Sequence, residues 1–163
     1  MKQRIEKDSI GEILVDSDKL WGAQTQRSFE NFKIGTEKMP VEIIRAITII
    51  KRAAAVVNFS MGNMSEEISQ SVTAACDKIL AGGLDDQFPL SVWQTGSGTQ
   101  TNMNVNEVIS HLTEGRAHPN DHVNMSQSSN DVFPSAIHIA CVIEAEDRLL
   151  PEIKALADTF GEL

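Results

Sequence analysis

Positive charge, cysteine and long apolar runs are all scarce in this sequence of 163 residues. Residues 61–163 hold four Lys/Arg against fifteen Asp/Glu, and the whole chain carries a net charge of −9. An acidic chain without a basic stripe argues against nucleic acid and anionic membrane surfaces as partners. The longest uncharged apolar run falls far short of a membrane span. The start, Met1-Lys2-Gln3-Arg4-Ile5-Glu6, has neither the apolar region of a secretory signal nor the acid-poor look of a transit peptide, so a soluble, cytoplasmic protein is expected. The two cysteines, Cys76 and Cys141, sit inside apolar helical patterns and are expected to be reduced and buried. No Cys or Glu completes a metal spacing with His111, His118 and His122, and there is neither a P-loop nor a G-x-G-x-x-G, so no metal and no nucleotide is expected. No internal repeat or low-complexity segment is present.

What is there reads as mainly α. Residues 4–15 alternate and turn, which predicts an extended arm or short β-hairpin. Trp21, Thr25, Ser28, Phe29 and Phe32 recur at helical spacing and predict a short helix packed through its aromatics. Pro40 suits the first position of a helix over 41–58 with a buried stripe of Ile43, Ile44, Ile47, Ile50, Ala54 and Val57, leaving Arg45, Lys51 and Arg52 off it. Ser65 is the expected N-cap of a second helix that stops at Gly82-Gly83. Residues 88–94 should be extended and 101–113 helical, followed by a polar loop over 115–130. Asn130 or Asp131 would then cap a last long helix, with Pro134 in its first turn and a kink at Pro151. That helix is still in register at Leu163 without a stop signal. The expectation is a domain over 1–130, followed over 131–163 by the start of a helical bundle belonging to a longer chain.

The chemistry concentrates in Thr95–Asn130. Gly96-Ser97-Gly98-Thr99 precedes a helix, where backbone N–H groups and hydroxyls at the positive helix end favour a carboxylate or phosphate. The plainer reading is a tight turn that needs glycine. Ser126-Gln127-Ser128-Ser129-Asn130-Asp131 repeats the arrangement before the next helix, and its plainer reading is an N-cap. Two such clusters point to convergence on one small anion. His118-Pro119-Asn120-Asp121 reads as a loop fixed by Pro and Asn-Asp, and His138 as a structural or interfacial histidine. Asn102, Asn104 and Asn106 disfavour a helix interior, so one or more should bond backbone or ligand.

Gly96 to Val108, His118-Pro119-Asn120-Asp121, Ser126 to Asp131 and Leu20-Trp21-Gly22-Ala23-Gln24-Thr25-Gln26-Arg27-Ser28 together resemble, in order and over nearly the whole chain, the N-terminal part of the class II fumarases in the aspartase/fumarase superfamily. Ser97, where aspartases usually have Ala, and Ser129, where they usually have Thr, favour fumarase. The resemblance implies a lyase, the fumarate hydratase of the tricarboxylic acid cycle, acting on fumarate and L-malate without metal or organic cofactor. It implies a homotetramer built on a helical bundle, with active sites shared between subunits. Carried over residue by residue, Ser97, Gly98, Thr99, Ser128, Ser129 and Asn130 would bind substrate, and His118, Pro119, Asn120 and Asp121 would form the family's second anion site. The segment between Val108 and His118 is shorter than in many members, which puts that second site in question. The family's catalytic serine and its Thr-His pair match nothing up to Leu163, so this chain alone is expected to be inactive. The rival readings are an ammonia-lyase such as aspartase and a non-catalytic helical interaction module.

Overall fold

A computed structural model describes residues 2–162 and begins with the hairpin that the alternation predicts. Strand β1 (Gln3–Asp8) pairs antiparallel with β2 (Gly11–Asp16), in a register running from Gln3 opposite Asp16 to Asp8 opposite Gly11. Asp8 holds the turn, because its Oδ1 accepts from the N–H of Ile10 at 2.9 Å and of Gly11 at 3.2 Å. The same carboxylate is paired with Arg27, which lowers its pKa below the ordinary value. The Arg4 guanidinium donates to the carbonyls of Asp16, Lys19 and Trp21 at 2.6–3.0 Å, tying the hairpin to the chain that follows.

Helix α1 (Ala23–Asn31) starts later than the aromatic spacing suggests and packs differently. It buries Ala23, Thr25 and Ser28, while Phe29 remains 45% exposed. Its N-terminus is capped from a distance. Glu107, on helix α4 (Thr99–Leu112), accepts the N–H groups of Gly22, Gln24 and Thr25 at 2.9–3.1 Å. Gly22 leaves the room for this, since a Cβ there would stand 2.9 Å from the carboxylate. Burial raises the pKa of Glu107, while the three amides pull against that rise. An acid at a helix start is favoured by the helix dipole, and here tertiary packing supplies it.

Helix α2 (Val41–Ser60) follows Pro40, which stands at the N-cap with its carbonyl accepting from Ile43 and Ile44. Its buried face is Ile44, Ile47, Thr48, Lys51, Ala55 and Asn58. This corrects the expected stripe: Val57 is 52% exposed, and Lys51, expected off the core, is 0% exposed. Helix α3 (Glu66–Leu80) has the expected N-cap, Ser65 Oγ accepting from Ile68 N–H at 3.3 Å, and packs against α2 through Val72, Ala75 and Cys76. Buried Cys76 has its thiol pKa pushed up to about 12. Cys141 is exposed, contrary to expectation, because it faces away from α2 on helix α5 (Ser129–Glu144), whose buried positions are Val132, Ala136 and Ala140.

After a short 3₁₀ turn at Asp85–Gln87 the chain runs without a helix to Ser91, with Met39 N–H bonded to the Leu90 carbonyl and Val92 N–H to that of Glu37, and it turns over 92–94, where an extended chain was expected. Helix α4 then crosses the interior, touching α1, α2, α3 and α5, and every residue from Thr101 to Ile109 is buried. The polar loop holds one turn of π-helix, Pro119–Val123, with His118 as its cap. Ser128, not Asn130 or Asp131, caps α5, which places Pro134 beyond the first turn and inside the helix. The kink expected at Pro151 is expressed as a π turn over Ala145–Leu149 leading into α6 (Leu150–Gly161). A proline cannot donate to the carbonyl four residues back and its ring crowds that carbonyl, so the wider turn just ahead of it relieves the conflict. No residue of α6 is buried, and among the described residues no helix is long and apolar enough to cross a membrane.

Candidate functional site

Gly98 sets the site's geometry. It is the N-cap of α4 at φ +69°, in the left-handed region, and a Cβ on it would press into the Phe133 ring of α5. Glycine is therefore required twice over, for the turn and for the close approach of two helix starts. The loop ahead is locked by Gln94, whose Oε1 accepts Thr101 N–H at 2.9 Å while its Nε2 donates to Thr101 Oγ1 at 2.7 Å. Ser28 of α1 donates to Gln100 Oε1 at 2.7 Å from the other side.

That approach brings the two donor clusters together. Thr99 Oγ1 lies 3.0 Å from Ser97 Oγ and 3.0 Å from Ser129 Oγ, thirty residues away in sequence. A chain of three hydroxyls thus runs across the N-termini of α4 and α5. Each hydroxyl can donate or accept, so an anion there can turn their protons toward itself. The first-turn N–H groups of both helices supply fixed partial positive charge. Ser128 is engaged differently, its Oγ accepting from Asn130 N–H at 3.2 Å, while the Asn130 side chain is exposed. Beside Thr99 opens a cleft of about 270 Å³ lined by Arg27, Ser28, Asn31, Thr99, Gln100 and Met103. Arg27 is the one cationic side chain among the described residues that line it and is already paired with Asp8 at 3.0 Å.

His118, Pro119, Asn120 and Asp121 are not brought to this place. They follow the C-terminal end of α4, whose 14 residues put roughly 20 Å between its ends. His118 and Pro119 line a separate cavity of about 380 Å³ together with Glu107, Ser110 and His111. Burial lowers the pKa of His111. His118 Nδ1 accepts Asp121 N–H at 3.2 Å and lies 3.1 Å from Asp121 Oδ2, but one nitrogen cannot accept a proton from the amide and donate one to the carboxylate. The cap is the better account, because it satisfies a helix-start donor with a side-chain acceptor. His138 is exposed. Among the described residues no group of three His, Cys, Asp or Glu side chains could hold a metal ion.

The three asparagines of α4 bond as expected, Asn104 to the Gln87 carbonyl at 3.1 Å and Asn102 and Asn106 to Asn124 Oδ1 at 3.2 and 3.3 Å. The capping role of Glu107 and the bonds of Gln94 were not legible, since both join residues far apart or across a loop. Nor was Lys51: it continues the Ile44, Ile47, Ala55, Asn58 spacing, but its charge weighed against burial.

A family model described as a lyase matches residues 11–163. Class II fumarate hydratases of Bacillus anthracis and Helicobacter pylori are 54% and 56% identical to the chain over 171 and 172 residues, covering 99% of it in both cases. The chain spans 37% of the length of these curated relatives. Among solved structures, the class II fumarase of Schistosoma mansoni superposes with a TM-score of 0.92 at 43% identity, over 96% of this chain and 35% of the other. A fumarate lyase:delta crystallin from Brucella melitensis superposes with a TM-score of 0.85 at 38% identity, over 89% of this chain and 36% of the other.

Proposed function

We propose, from the premise that the chain belongs to the lyase family matched over residues 11–163, that it is the N-terminal part of a fumarate hydratase. Such an enzyme adds water reversibly across the double bond of fumarate to give L-malate. The observation that carries the reading is the Thr99–Ser129 contact of 3.0 Å, which joins two helix starts into one set of donors. Removal of a proton beside a carboxylate, or attack of hydroxide on fumarate, leaves a carbanion whose charge spreads onto that carboxylate. Donors held in place before the charge develops stabilise it most, because they need not reorganise.

In this account Ser97, Gly98, Thr99, Ser128, Ser129 and Asn130 bind the dicarboxylate or the reacting water. The proton-transfer groups, a serine and a Thr-His pair, come from sequence outside this chain. The active enzyme is a cytoplasmic homotetramer with sites shared between subunits. Residues 1–130 form its first domain and 131–163 begin its helical bundle. His118, Pro119, Asn120 and Asp121 form a second anion site apart from the first. The ultraviolet absorbance of fumarate provides the test. A full-length protein carrying this segment converts malate to fumarate, and Thr99→Ala lowers its kcat/KM by about 3 kcal/mol, as expected for a transition-state donor. This chain alone should give no absorbance change. A Thr99→Ala effect within error, or turnover by the chain alone, contradicts the assignment.

A further inference from the structure

Lys51 is a buried amine with no carboxylate within ion-pair distance among the described residues. It lies in the middle of α2 at 0% exposure, and its Nζ donates at 2.8 Å to the side-chain oxygen of Asn124. Burying an ammonium against a neutral amide is costly, and an apolar side chain of similar length would fill the position at less cost. The bonds that radiate from Asn124 give the ammonium a use. Asn124 Oδ1 is the shared acceptor of Lys51 Nζ, Asn102 Nδ2 and Asn106 Nδ2. The outer oxygens of Asn102 and Asn106 are buried without a partner among the described residues, so each amide is held on this side through its Nδ2. On its far side Asn124 Nδ2 donates to the Gln127 carbonyl at 3.4 Å, immediately before Ser128.

Seven residues further along α2, a second side chain grips the same segment. Asn58 Nδ2 donates to the Met125 carbonyl at 3.2 Å, and Asn58 Oδ1 accepts from Ser126 Oγ at 3.0 Å. Ser126 sits at φ +60°, a left-handed conformation that a non-glycine residue keeps only when its surroundings hold it. Helix α2 contributes no member of either donor cluster, yet it fixes residues 124–126 at two points from below.

We propose that Lys51 is a positioning residue for the Ser128–Asn130 donors, acting through Asn124 to set the α5 start against Thr99. This rests on the reading of those donors as a dicarboxylate site. The test uses this chain and its amide signals in ¹⁵N–¹H NMR, with fumarate as the probe, for wild type, Lys51→Met and Asn124→Ala. Expected are displaced amide signals from Gln127 to Asn130 in both ligand-free variants, and at least tenfold weaker fumarate binding, with no loss of unfolding midpoint in Lys51→Met. Weaker binding without lower stability separates positioning from a merely structural role. Asn124→Ala decides the matter should Lys51→Met not fold. Unmoved 127–130 signals in the ligand-free variants overturn the positioning role. Wild-type signals that ignore fumarate overturn the site reading instead, and the ligand-free comparison then still decides for or against Lys51.

Discussion

The two loops that resemble anion sites are built on opposite principles. At the N-terminus of α4, Thr99 bonds outward, to a serine of another helix start at 3.0 Å. Beyond its C-terminus, His118 bonds inward: its N–H goes to His122 Nδ1 at 2.8 Å and its own Nδ1 accepts from Asp121. A polar cluster whose bonds close within one turn serves that turn first, and a cluster whose bonds cross between elements is placed by the whole fold. Residue composition does not separate the two cases, because caps and anion sites draw on the same short polar side chains.

Gly98→Ala breaks the outward-bonding site most severely. The alanine faces both a φ of +69° and the Phe133 ring, so urea unfolding should show a loss of about 3–5 kcal/mol. A loss below about 1 kcal/mol would mean that the two helix starts are not held against each other.

Lys51, under the same site, gives a pH signature of intermediate size. Burial pushes its pKa from 10.5 down to about 7, while the unfolded chain keeps its proton up to about 10.4. Below the folded value both states are protonated and the burial penalty is fully present. Above it unfolding takes up a proton, so stability rises with pH until the unfolded lysine also titrates. Between pH 7 and 9 wild type should gain about 2 kcal/mol relative to Lys51→Met. Parallel stability curves for the two proteins would remove the buried charge from the account.

The smallest effects sharpen the contrast between the loops. Thr99→Val deletes the hydroxyl at the junction and should cost about 1 kcal/mol of stability. Asp121→Asn, at an exposed carboxylate, should change stability by less than about 0.5 kcal/mol. The reverse order would show that the inward-bonding loop is the one under tertiary constraint.

Helix existence, the hairpin, the Ser65 cap and the Gly82-Gly83 stop were legible because each depends on residues a few positions apart. The burial of Lys51 was not, since charge weighs against burial locally and only Asn124, brought in from a distant loop, supplies the partner. The start of α1 depends likewise on Glu107, whose carboxylate arrives from α4. In the candidate site, the residue types at 97–99 and 128–130 were visible, but their meeting required the close packing at Gly98 and Phe133. The exposed side of Cys141 followed from which face of α5 meets α2, a rotation that a continuous apolar pattern does not define.

On the proposed function the starts of α4 and α5 form one site. Titrating this chain with fumarate while following its ¹⁵N–¹H amide signals tests that most directly. The account predicts that Thr99, Gln100, Ser129 and Asn130 move together with a single dissociation constant, while His118 to Asp121 stay still or follow a different one. Separate constants for the two helix starts, or movement confined to residues 118–121, would contradict it.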